Sequence, residues 1–125
     1  RMDLYRRIAR IRTEEDADDL VDELVDRYGD PPRAVNNLIS IALLRAQAAQ
    51  CGFEDISQKG LVLTFTMKDF DLKRIAALSG AARFKGRILF SPGEKSALSL
   101  RLKPGEDVLA MGRKLVEAYQ QLMAQ

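Results

Sequence analysis

Leu20, Val21, Leu24, Val25 and Tyr28 recur at spacings of three and four, the period of a helix with one apolar stripe. Thr13 is placed to cap that helix, with Asp16 at the distance of a capping box. Upstream, Met2 to Ile11 predicts another helix, with Met2, Tyr5, Ile8 and Ala9 sharing a face. Gly29 suits the left-handed residue that closes a helix, Asp30 a new N-cap and Pro31 a first helical position. The third helix then runs to Cys51 and ends at Gly52. It is apolar around most of its circumference, which places Leu38 and Ile41 in the core. Asn36, Asn37 and Ser40 mark its wet edge.

After Gly52 the period changes to two. Phe53–Ile56 predicts a short strand, Ser57–Gly60 a turn, and Leu61, Leu63, Phe65 and Met67 one face of a second strand. Asp69 or Asp71 caps a short helix with Leu72, Ile75, Ala76 and Leu78 inward. Arg87–Phe90 and Ala97–Leu102 predict a second hairpin around Ser91–Glu94. A long last helix carries Val108, Met111, Gly112, Leu115, Tyr119 and Leu122 on one face. The expected fold is α+β: three N-terminal helices, then two β-hairpins separated by a short helix, an antiparallel sheet and a long C-terminal helix.

Length changes this picture little: 125 residues suit a single domain over 1–125 with a core of its own. The start at Arg1, inside a helical pattern, reads as a piece of a longer protein. Charge changes the picture more. The total is +2, yet residues 1–13 hold five arginines against Asp3, and residues 14–30 hold nine acids against Arg27. A sharply acidic helix therefore follows a basic segment, as a partner-binding or intramolecular charge match would require.

Catalytic chemistry finds little support. There is no histidine, no phosphate-cradling glycine loop and one cysteine, Cys51, which reads as a small buried hydrophobe in a reducing compartment. No catalytic residue, cofactor or metal ligand is assigned. Glu23, Asp26 and Arg27, at i, i+3 and i+4, share one patch, and Asp19 and Asp22 extend its negative field. Carboxylates so placed can receive a partner's arginines; the competing reading is local ion pairing with Arg27 and its neighbours. Arg83, Lys85, Arg87, Arg101 and Lys103 are assigned to one basic strand face, either solvated or able to meet nucleic acid.

The run RMDLYRRI from Arg1, and ELVDRYG from Glu23 followed by Pro32, Val35, Leu38, Ile41, Leu44 and Arg45, resemble the C-terminal (TRCF) domain of the bacterial transcription-repair coupling factors, the Mfd family. That resemblance implies a cytoplasmic parent: an ATP-dependent superfamily-2 DNA translocase acting in transcription-coupled nucleotide excision repair. It implies that this domain is non-catalytic and monomeric, and docks on the UvrB-like domain of the same chain. There it would mask the UvrA-binding surface until the parent is activated on DNA at stalled RNA polymerase. UvrA, RNA polymerase and DNA are then indirect partners. An accessory nucleic-acid-binding domain is the alternative.

Overall fold

The computed structural model describes residues 2–124. Arg1, and the side chain of Met2 assigned above to a helix face, lie outside that description. The elements are α1 (Met2–Ala9), α2 (Glu14–Tyr28), α3 (Arg33–Gln50), β1 (Phe53–Lys59), β2 (Val62–Met67), α4 (Leu72–Gly80), β3 (Ile88–Ser91), β4 (Ser96–Arg101) and α5 (Val108–Met123). The α+β class and the order of helices and hairpins are those expected. Two compact units result, residues 1–47 and 48–125.

In the first unit, Thr13 and Asp16 form the expected reciprocal capping box on α2. The core of this unit is Ile8, Ile11, Ala17, Leu20 and Ile39, with Leu4, Val21, Leu24, Val35, Ala42 and Leu43 packed against it. Three sequence assignments need correction. The buried side of α1 runs through Leu4, Ile8 and Ile11, so Tyr5 is 57% exposed and Ala9 is also outside. The core stripe of α2 ends before its last turn, leaving Tyr28 78% exposed.

The third correction concerns the corner into α3. That helix opens at Arg33, two residues later than expected. Pro31 precedes Pro32, and a residue before proline is driven out of the α region, so Pro31 cannot be helical. The first helical hydrogen bond is from Asn36 N–H to the Pro32 carbonyl, at 3.1 Å. Gly29 closes α2 with φ 83° and ψ −169°, a region open essentially to glycine alone. The packed stripe of α3 is Val35, Ile39, Ala42 and Leu43, which leaves Leu38 at 41% exposure and Ile41 half-buried. Ile39→Ala should therefore cost about 2–5 kcal/mol, whereas Leu38→Ala should cost less than about 1 kcal/mol. Urea unfolding of the two variants checks the order.

In the second unit the sheet order is β1-β2-β4-β3, antiparallel throughout. β1 is three residues longer than expected, because the turn is the two-residue Gly60-Leu61, with Lys59 opposite Val62. Gly60 takes φ 59° at the first turn position and Leu61 does not share it, the pattern of a type II′ hairpin. A bulge between Phe53 and Asp55 puts Phe53 and Ile56, three residues apart, on the same buried face. β3 and β4 are each shifted by one residue from their expected bounds. Leu63, Phe65, Met67, Leu98, Leu100 and Leu102 face inward as expected, together with Met111, Leu115, Val116 and Tyr119 of α5. On α4, capped by Asp71, Ile75 and Leu78 are buried, but Leu72, next to the cap, is 64% exposed and Ala76 also faces out.

Candidate functional site

The acidic residues of α2 divide by their position on the helix. Asp16 is used locally: its carboxylate accepts the Arg12 and Thr13 backbone N–H groups. Those two bonds hold its pKa below the usual aspartate value. Glu23 turns toward α1, where Arg7 Nη1 donates to Glu23 Oε2 at 2.5 Å. Arg27 Nε approaches the same oxygen at 4.0 Å. Asp19, Asp22 and Asp26, at i, i+3 and i+7, are exposed. They make no ion pair among the described residues.

Thus Glu23 and Asp26, adjacent by spacing, do different things. Glu23 ties α2 to α1 and Asp26 faces solvent. With Glu23 40% exposed, the bridge contributes no more than a surface pair, about 0–1 kcal/mol. Beside it lies an open groove of about 810 Å³, entirely within the first unit. Its lining includes Tyr5, Arg7, Glu23, Arg27, Tyr28 and Pro32. Sequence reasoning missed Arg7 and the two tyrosines. Pairing between helices leaves no local signal, and both tyrosines sit at helical spacing with core residues.

The basic residues are arranged otherwise than expected. Only Arg101 lies in a strand; Arg83 and Lys85 are in the turn that follows α4. That turn is pinned by Phe84, which is fully buried, so its neighbours on either side must point outward. Arg87 is committed to structure. Its Nε donates to the Arg101 carbonyl at 3.0 Å and its Nη1 to the Arg83 carbonyl at 3.2 Å. Its Nη2 pairs with Glu106 Oε1, which also accepts the Lys103 N–H at 2.7 Å. The Lys103 N–H, then the Arg87 guanidinium, hold the Glu106 carboxyl below its ordinary range.

A depressed carboxylate pKa stabilises the native state at neutral pH. The contribution is complete above the unfolded-state value and is lost as pH falls through the lower native one. Glu106→Gln should therefore lower the melting temperature at pH 7 and flatten its decline below about pH 4.5. Asp16 keeps its own share of that decline. Melting curves of both proteins across the acid range check this.

Cys51 is buried, and burial raises its thiol pKa, as befits a structural side chain. No cluster of three or more metal-ligating residue types exists among the described residues. No helix among them is long and apolar enough to cross a membrane.

The sequence model of the TRCF domain family matches residues 1–78, the segment that holds α1, α2, α3 and the first hairpin. This chain belongs to the TRCF domain family. The transcription-repair-coupling factor of Staphylococcus epidermidis (strain RP62A) is 26% identical over 129 residues, covering 99% of this TRCF chain and 11% of that protein. The protein of the same name from Escherichia coli K12 is 37% identical over 71 residues, 55% of the chain and 6% of that protein. The TRCF chain thus spans only about a tenth of the curated relatives it matches. A crystal structure described as the C-terminal domain of transcription-repair coupling factor superposes with TM-score 0.75 at 18% identity. It covers 97% of this chain and 79% of that one, and shows that the two share a fold.

Proposed function

We propose that this chain is the C-terminal regulatory domain of a transcription-repair coupling factor and works by docking. The acidic face of α2 receives basic side chains of the parent's UvrB-like domain and so covers the surface that UvrA requires. Activation of the parent on DNA at a stalled RNA polymerase releases the contact. The domain carries out no catalysis of its own and needs no cofactor. Asp19, Asp22, Glu23, Asp26 and Arg27 make the contact, with Glu23 held in place by Arg7.

One observation carries this reading. Asp19, Asp22 and Asp26 form a stripe of like charge with no counter-charge among the described residues. Side by side, such charges repel one another, and a cationic partner relieves that repulsion. Family membership and the names of the relatives support the choice of parent. Masking of this kind is competition between an internal and an external ligand. A tether raises the effective concentration of the internal one, so a modest interface suffices.

The test is binding of this chain to the separately produced UvrB-like domain. Salt-sensitive binding, weakened by Asp22→Ala with Asp26→Ala, is expected. Equal binding by the parent chain and the double variant would overturn the docking role of α2.

A further inference from the structure

The second unit carries a basic cleft that the docking reading does not use. Its volume is about 400 Å³, and Arg83, Lys85, Arg87, Lys103, Glu106 and Lys114 line it. These residues come from three separate places: the turn after α4, the segment after β4, and α5. Arg87 and Glu106 neutralise each other and brace the surroundings, since Arg87 also binds the Arg83 and Arg101 carbonyls and Glu106 the Lys103 N–H. Arg83, Lys85, Lys103 and Lys114 remain, exposed and without an ion-pair partner among the described residues.

We infer that this cleft binds the phosphate backbone of nucleic acid, without reading sequence. Cations gathered in a concavity concentrate a positive field there and favour an anion. The remaining lining narrows the class of anion. Apart from Ala82, the only apolar side chain is Met111, itself buried at 6% exposure. Protein interfaces rely on aromatic or aliphatic anchors in pockets, and the cleft offers none. Phosphates need none, because lysine and arginine hold them by charge and hydrogen bonds. The structural Arg87–Glu106 pair fixes the turn, and Phe84 anchors it from inside, so the four cations converge on one cleft.

The experiment uses the 125-residue chain and a fluorescent DNA duplex of random sequence, followed by anisotropy. Binding should weaken roughly 40-fold between about 50 and about 200 mM salt if three phosphates are neutralised. The K85Q/K103Q/K114Q triple should reduce the salt slope by about 3. The K85E/K103E/K114E triple should lose at least about tenfold in affinity. K59E/K68E/K95E makes the same change in net charge at exposed residues outside the cleft and should lose clearly less. Equal losses from the two reversal triples would overturn the site, as would no binding at the lower salt. Displacement of the duplex by poly-L-glutamate at equal charge concentration would assign the cleft to an acidic protein instead and overturn the nucleic-acid assignment. Circular dichroism of each triple accompanies the titrations, and the glutamine triple decides the matter if a reversal triple is unfolded.

Discussion

Phe65→Ala should destabilise the second unit by about 3–5 kcal/mol, the range for removing a fully buried aromatic ring. Phe65 lies on β2, an inner strand flanked by β1 and β4, and has no exposed surface. Its partners across the sheet are Ile56 and Leu98, both buried. Its ring lies 5.3 Å from that of Phe53, which in turn lies 4.9 Å from Tyr119 on α5. The substitution leaves a hole where the sheet meets the helix, and no flexible side chain is at hand to fill it. Leu72→Ala is the matching control, because Leu72 is 64% exposed and its truncation should fall within about 0.5 kcal/mol of no effect. Chemical unfolding of the three proteins decides it. Similar midpoints for Phe65→Ala and the parent would mean that the ring cluster is not the centre of this unit.

What could be read from the sequence was whatever depends on neighbours along the chain. The capping box of Thr13 and Asp16, the Asp71 cap and the alternation of Leu63, Phe65 and Met67 all lie within a few residues, and all are present as expected. Local rules that compete with one another were harder to read. Asp30-Pro31 has the pattern of a helix start, but Pro32 directly after it vetoes the α conformation at Pro31. The bulge at Glu54 breaks the period of two, so β1 looked shorter than it is. Contacts between distant elements were not readable at all. The pairing of β2 with β4 and the strand order belong to this class. So do the Arg7–Glu23 bridge and the convergence of Lys114 with the Arg83 turn. The acidic stripe of α2 was readable because it is a helix-period pattern, but its division into a braced Glu23 and a free Asp26 was not.

That division makes the second large effect specific. Replacing Glu23 and Asp26 together by alanine removes one bridging and one exposed carboxylate. The stability cost should be small, about 1 kcal/mol at most, because Arg7 and Glu23 are both about 40% exposed. The cost to docking should be large. Asp26 would be lost as an acceptor for a partner's arginines, and Arg7 and Arg27 would be left as uncompensated cations facing a basic surface. Like charges placed across an interface oppose association and slow its formation. Asp19 and Asp22 would remain, which is why the change should weaken the docked state without abolishing the charge of α2.

The most direct measurement is the UvrA affinity of the intact parent carrying Glu23→Ala and Asp26→Ala, without DNA or ATP, beside the melting temperature of this chain with the same changes. If the α2 face holds the domain against the UvrB-like domain, UvrA binding should rise by at least about fivefold, the lower end of ordinary coupling between sites, while this chain stays folded. Unchanged UvrA affinity in a folded double variant would contradict the docking role of the acidic face.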